Sequence, residues 1–197
     1  MQAPEIELKF PVADMRTLRA AALELGFRLV TERTFEANTL YDTEDRRLRA
    51  QKQILRLRRY GEAWIVTHKR MAGAGEDVAA AAERYKTRIE TESIVEDGDA
   101  MAEVFAQLGL LPAFRYEKYR TEWAAEGGKL VVDETPIGVW AELEGEPAWI
   151  DAMLAGLGVR PEDCLTDSYG KLFLKWKQET GSPAENLTFE EAGVVGV

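Results

Sequence analysis

The chain has 197 residues, of which 46% are hydrophobic and 30% charged, a balance that suits one folded domain with a full core. Its formal net charge of −10 argues against broad electrostatic attraction to nucleic acid or anionic lipid, so an anionic ligand would need a local basic pocket. The single His68 and single Cys164 leave no His-rich metal centre and no internal disulfide, and they argue against an ordinary Ser–His or Cys–His dyad.

No apolar run reaches the length of a membrane-spanning helix. The opening residues, Met1-Gln2-Ala3-Pro4-Glu5, lack the basic and apolar regions of a signal peptide, so a cytoplasmic location is expected. The first strand is expected over 5–10. Its alternation places Glu5, Glu7 and Lys9 on one face and Ile6, Leu8 and Phe10 on the other. Pro11 ends it. Asp14 then caps a helix with Leu18, Ala21, Ala22 and Leu25 at helical spacing, closed by Gly26. A short strand or connection over 27–31 precedes a second strand over 34–42, and the charged stretch 43–53 reads as a short surface helix or loop. A hairpin turning at Gly61-Glu62 joins strands 54–60 and 64–70. Residues 71–82 have low complexity and read as a loop, either a plain linker or a flap over a site.

The fifth strand is expected over 83–96, with Arg88, Glu90 and Glu92 on one face. A helix follows from Asp97-Gly98-Asp99 to Gly109. Strands 114–124, 129–134 and 139–146 come next, then a helix from Pro147 and a last helix from about Asp167-Ser168 to Gln178. Strands and helices come in blocks, which favours an antiparallel α+β arrangement, and about eight strands are enough to close a barrel.

Charges recur on alternate positions of these strands: Lys9, Arg56, Arg58, Lys69, Arg88, Lys118 and Arg120 among the bases, and Glu5, Glu7, Glu90, Glu92, Asp133, Glu142 and Glu144 among the acids. For any one pair, a solvated sheet face is the ordinary reading. For the whole set a second reading competes. The helices need the apolar sheet face to cover their own stripes, which turns the charged face into the barrel. Two like charges about 8 Å apart repel by roughly 2 kcal/mol at an effective dielectric near 20, so stacked Arg and Lys would be stabilised by a polyanion. Arg forks match phosphate oxygens, and carboxylates two residues apart suit Mg²⁺ or Mn²⁺. No side-chain nucleophile is required.

In order along the chain, Glu5-x-Glu7-x-Lys9, Arg56-x-Arg58, Thr67-x-Lys69, Glu90-x-Glu92, Lys118-x-Arg120, Asp133, Glu142-x-Glu144 and Ser168-Tyr169 resemble the CYTH proteins, or triphosphate tunnel metalloenzymes, over roughly 4–178. The resemblance implies an α+β fold built on an eight-stranded antiparallel β-barrel with helices outside, spanning 1–178, with 179–197 as a flexible C-terminal tail. It implies that Lys9, Arg56, Arg58, Lys69, Lys118 and Arg120 bind phosphate, that Arg88 joins them in register with Glu90 or else lies at the rim, and that Lys171 either reaches the tunnel mouth from the last helix to contact substrate or is an ordinary solvated helix lysine. Glu5, Glu7, Glu142 and Glu144 would ligate Mg²⁺ or Mn²⁺. Asp133, Glu90 and Glu92 would hold a second metal or order the attacking water, and Lys9, Glu90 and Glu92 form the expected catalytic set. The partner it implies is a triphosphate-containing small molecule (inorganic triphosphate, ATP or thiamine triphosphate), with no nucleic acid or membrane partner and a homodimer admissible.

One position departs from the pattern. Leu40 stands where many members carry a Tyr close to the lysine of the opening motif, which argues against thiamine triphosphatase chemistry of the Lys–Tyr type. Three activities follow from the resemblance: metal-dependent hydrolysis of inorganic or organic triphosphate, adenylyl cyclisation of the class IV type giving cyclic AMP and diphosphate, or non-catalytic sensing of polyphosphate or nucleotide. The intact acidic pairs favour catalysis.

Overall fold

The computed structural model describes residues 2–71 and 85–193. Most of the 71–82 stretch therefore lies outside the described residues. Eight strands follow the alternation expected of them: β1 (Gln2–Pro11), β2 (Arg28–Asp42), β3 (Ile54–Tyr60), β4 (Ala63–Arg70), β5 (Lys86–Val95), β6 (Leu111–Ala125), β7 (Gly128–Thr135) and β8 (Gly138–Gly145). They pair antiparallel in the order β1-β5-β4-β3-β2-β6-β7-β8 and close into a barrel, because β1 pairs with β5 on one side and β8 on the other. Five α-helices lie outside it: α1 (Met15–Glu24), α2 (Arg47–Ala50), α3 (Gly98–Gln107), α4 (Pro147–Gly156) and α5 (Tyr169–Thr180). Among the described residues no helix is long and apolar enough to cross a membrane.

Local chemistry sets the helix ends. The Asp14 side chain accepts the Arg16 N–H, the Asp97 side chain accepts the Ala100 N–H, and Pro147 opens α4 where no backbone donor is needed. Two boundaries differ from expectation. β2 runs unbroken through 28–42, its pairing with β6 passing irregularities between Leu29 and Thr31, Thr31 and Thr34, and Leu40 and Tyr41. β6 begins at Leu111 because Pro112 sits opposite Tyr41 at the last of these, where a missing N–H is tolerated.

Much of the outward apolar face of the strands is covered, although Phe35 and Leu29 of β2 remain exposed. α1 and α4 bury Leu18, Ala22, Ile150 and Leu154 against Leu8, Phe10, Leu130, Val132 and Leu143. α3 buries Phe105 against Tyr41 and Leu57, with the two rings edge to face at 5.0 Å. Turning the apolar face outward to the helices leaves the polar face inside the barrel.

α4 is seated by Trp149, whose indole N–H donates to the Glu126 carbonyl at 2.7 Å. A Cβ on Gly128 would lie 2.4 Å from the Glu144 carbonyl oxygen and 2.6 Å from the Trp149 ring. Gly128→Ala is expected to cost about 1–3 kcal/mol by forcing backbone or indole to move. A thermal melt indistinguishable from that of the parent chain would contradict this packing.

Within the expected flexible tail, residues 181–193 are described, and they pack against α5 and β6. Ala184 and Leu187 are buried beside Tyr169, Leu172 and Phe173. The Leu187 N–H donates to the Arg115 carbonyl and the Glu117 N–H donates to the Leu187 carbonyl, so 187 forms a short bridge with β6. Isolated anchors of this kind have no periodicity, which is why the sequence pattern did not reveal them.

Candidate active site

The inward faces of all eight strands meet in a tunnel of about 410 Å³. β1 contributes Glu5, Glu7 and Lys9, β3 contributes Arg56 and Arg58, β4 contributes Lys69, and β5 contributes Arg88, Glu90 and Glu92. β6 contributes Lys118 and Arg120, and β8 contributes Glu142 and Glu144. Residues spread over 140 positions of chain thus reach one cavity because each obeys the two-residue period of its strand.

The basic side chains are held by acids. Lys118 Nζ lies 2.9 Å from Asp133 and 3.3 Å from Glu36. Arg120 engages Asp133 through Nε and Nη2, each at 2.7 Å, and reaches Glu142 at 3.1 Å. Lys9 pairs with the other oxygen of Glu142. Arg56 and Arg58 approach Glu92 at 3.4 and 3.2 Å. Lys69 lies 2.6 Å from Glu5 and 2.9 Å from Glu90. Arg56 Nε and Arg58 Nε are buried without a hydrogen-bond partner among the described residues, which leaves two donors on tunnel-lining guanidinium groups for an anion.

Glu36 is the anchor that the charge pattern failed to mark. It is fully buried, and although burial alone would raise its carboxyl, Lys118, Arg120, Arg58 and Arg56 together hold it far below the usual carboxylate range. Asn38 donates to it at 2.9 Å. Glu36, Asn38 and Leu40 alternate on the inward face of β2, so the signal existed, but no second charge followed Glu36 at the next inward position.

Opposite these bases, ligand oxygens of Glu5, Glu7 and Glu144 lie within 4.8 Å of one another. Burial raises the Glu144 carboxyl, with Lys129 opposing the rise and Glu5 adding to it. Three converging carboxylate oxygens suit a hard divalent cation that keeps part of its water shell. This donor set fits the expected metal. It includes Glu5, Glu7 and Glu144 of the expected ligands, whereas Glu142 and Asp133 do not join it.

Glu142 and Asp133 stand in ion pairs with the bases. Both Glu142 oxygens face Lys9 and Arg120. Asp133 is wholly buried, taking Arg120, Lys118 and the Tyr169 hydroxyl on its two oxygens. Both therefore serve the basic side. The Lys171 side chain is 72% exposed and pairs with Asp167, and it is not among the residues lining the tunnel. Arg88 lines the tunnel, with Nη1 3.3 Å from the Lys52 carbonyl.

Glu90 and Glu92 share a face of β5 yet differ in acidity. Burial pushes Glu90 up to about 7, with Lys69 opposing and Glu5 adding. Burial also raises Glu92, but the Thr67 hydroxyl and Arg58 outweigh it and bring it below its ordinary value. A divergent carboxylate pair of this kind can divide proton-holding from charge-holding.

Leu40 lines the tunnel, and the aromatic neighbour of Lys9 comes from α5 instead. Tyr169 places its ring 4.0 Å from Lys9 Nζ, while its hydroxyl donates to Asp133 at 2.6 Å. Lys9 thus meets the face of a tyrosine, and that hydroxyl is committed elsewhere.

The sequence matches the CYTH domain over residues 3–147. It is 27% identical over 141 residues to a Methanocaldococcus jannaschii protein named as a candidate adenylate cyclase, a match covering 71% of this chain and 75% of that protein. Among solved structures, PH1819 from Pyrococcus horikoshii superposes with a TM-score of 0.70 at 23% identity, over 87% of this chain and 99% of that one. A Hippeastrum protein named as a candidate adenylyl cyclase and described as having a dominant triphosphatase activity superposes with a TM-score of 0.61 at 18% identity, over 89% of this chain and 96% of that one. These likenesses carry the fold, and the domain match, which spans well over half the chain, carries the kinship. The chain belongs to the CYTH domain family.

Proposed function

We propose that this chain hydrolyses the terminal anhydride of inorganic or organic triphosphates with the help of Mg²⁺ or Mn²⁺. The observation that supports it is the joining of two opposed charge sets in one closed tunnel: the Glu5–Glu7–Glu144 cluster, and the Arg56, Arg58, Lys69, Lys118 and Arg120 group bridged to it through Lys69 and Glu5. When bound at the cluster, a divalent cation supplies charge neutralisation at phosphate oxygens and makes water more acidic. The chain's own residues do the rest. Arg56 and Arg58 present planar forks to the phosphates, and Lys118 and Arg120, fixed by Asp133 and Glu36, stabilise charge on the transferring group and the leaving diphosphate. Lys9, held by Glu142 and the Tyr169 ring, adds a further cation. To Glu90 and Glu92 this reading gives the orienting of water and the acceptance of its proton.

The second reading is adenylyl cyclisation, in which a ribose 3′-hydroxyl attacks the α-phosphorus and diphosphate leaves. The name carried by the M. jannaschii relative favours it. The triphosphatase activity described for the Hippeastrum protein favours hydrolysis, as does an interior that sets a basic wall against an acidic cluster. Phosphorus NMR of the protein with Mg²⁺ or Mn²⁺ separates the two. Inorganic triphosphate is expected to yield orthophosphate and diphosphate, and ATP to yield orthophosphate. Cyclic AMP with diphosphate as the main products from ATP would replace hydrolysis by cyclisation.

A further inference from the structure

Beside the tunnel lies a second cavity of about 460 Å³, bounded by the end of β2, α2, the start of β3 and α5. It adjoins the tunnel, with Leu40, Ile54, Arg88, Phe114, Ser168 and Gly170 lining both. Its volume is that of a site for a nucleoside-sized group. Leu40, Phe114 and Leu174 give it an apolar floor, and Leu174 is half exposed there.

The rim carries the unusual feature. Arg46, Arg49, Lys52, Arg88 and Lys177 all line this groove, in a chain whose net charge is −10. Among the described residues none of these five takes part in an ion pair, in contrast to Lys9, Arg56, Arg58, Lys69, Lys118 and Arg120 of the tunnel, each of which has a carboxylate partner. Lys171 also lines the groove but is paired with Asp167. The two acids of the groove do little to balance the rim. The Asp42 carboxylate accepts the N–H groups of Thr43, Leu48 and Arg49, and Glu185 is a single charge.

Backbone conformation gives an independent sign. Among the described residues, Arg46 and Lys52 are the two non-glycine residues with positive φ, at 57° and 56°, and they flank α2 on the groove. Left-handed backbone disfavours side chains of this size, and such outliers concentrate where a site holds them in place. Here both bring a cation to the same rim.

We infer that the groove holds the organic part of the substrate, and that this part carries its own anion: a nucleoside triphosphate bearing a second phosphate on the sugar. The inference rests on the triphosphate reading of the tunnel. A base would lie on the apolar floor, the triphosphate would extend into the tunnel past Arg88, and the sugar phosphate would meet the rim cations. A neutral nucleoside would satisfy the floor and leave the rim unused. A longer inorganic chain would satisfy the rim and leave the floor unused.

The test compares inorganic triphosphate, inorganic tetraphosphate, ATP and adenosine 5′-triphosphate carrying a 3′-phosphate, each with the full chain and Mg²⁺ or Mn²⁺. Calorimetry gives affinity and phosphorus NMR gives kcat/KM. The sugar-phosphorylated nucleotide is expected to exceed ATP at least tenfold in kcat/KM, chiefly through KM. In the Arg49→Gln/Lys177→Gln variant the ratio between those two nucleotides is expected to fall toward one. Because the readout is a ratio within one protein preparation, a general loss of folding cannot imitate it. Equal use of both nucleotides by the parent chain, with inorganic triphosphate still cleaved, overturns the groove assignment and leaves the tunnel reading standing. A preference for tetraphosphate over either nucleotide overturns it as well. Failure of all four to bind overturns the tunnel reading and the groove together.

Discussion

Asp133→Ala is expected to lower the melting temperature by roughly 6–20 °C, from about 3–5 kcal/mol for breaking a buried ion pair and about 2–4 °C per kcal/mol in a chain of this size. Asp133 is fully buried and accepts from Lys118, Arg120 and Tyr169, so alanine removes the shared partner of two buried cations at once. Glu36 remains near Lys118 and Arg120 at 3.3 and 3.8 Å, which keeps the loss below that of two isolated charges. The same account fixes the pH dependence. Burial pushes the Asp133 carboxyl up, but Arg120 and Lys118 outweigh it and hold it below the ordinary value in the folded chain. Its stabilisation is therefore fully present above the unfolded carboxylate pKa of about 3.9 and is lost as pH falls through the lower folded value. Differential scanning calorimetry should show parent and variant furthest apart near neutral pH and converging in acid. Inorganic triphosphate should raise the melting temperature of the variant more than that of the parent, because the added anion replaces the missing partner. Equal melting of the two proteins at pH 7 would remove Asp133 from its place between the bases.

How far the sequence reaches is visible at particular residues. The period of two in Glu5-x-Glu7-x-Lys9, Arg56-x-Arg58 and Glu90-x-Glu92 is enough to place each set on one strand face, and barrel closure brings all of them into one tunnel. Which charge meets which is a different matter, because it depends on register between strands far apart in the chain. Asp133 lies opposite Arg120 in the β6–β7 ladder, and Glu142 lies opposite Lys9 in the β1–β8 ladder. Those two pairings set both acids beside bases, a relation that alternation along a single strand does not reveal. The place of Lys171 depends on helix phase: at 3.6 residues per turn it sits about 200° around α5 from Tyr169, which lines the tunnel. The tail anchors, Ala184 and Leu187, act through single contacts that no window of composition could register.

Arg56→Ala is expected to weaken binding of inorganic triphosphate by roughly 10–100-fold, from about 1.5–3 kcal/mol for hydrogen bonds to a charged group. The Arg56 guanidinium is buried in the tunnel wall, donates to Thr67 at 3.1 Å and Tyr116 at 3.3 Å, and lies near Glu90 and Glu92. Its orientation is thus set before any anion arrives, and little ordering entropy opposes the contact. Arg56→Lys should recover only part of the loss, since the charge remains while the planar fork does not. Glu7→Gln provides the contrast. Glu7 belongs to the Glu5–Glu7–Glu144 cluster, and its substitution should raise the metal concentration needed for half-maximal activity by at least about tenfold. At saturating metal the triphosphate affinity of that variant should approach that of the parent, whereas no metal concentration should restore Arg56→Ala. A titration of triphosphate against metal for both variants reads the two effects on separate axes. If Arg56→Ala shifted only the metal midpoint, or Glu7→Gln lowered triphosphate affinity at every metal concentration, the division of the tunnel into a phosphate-gripping wall and a cation-holding wall would have to be redrawn.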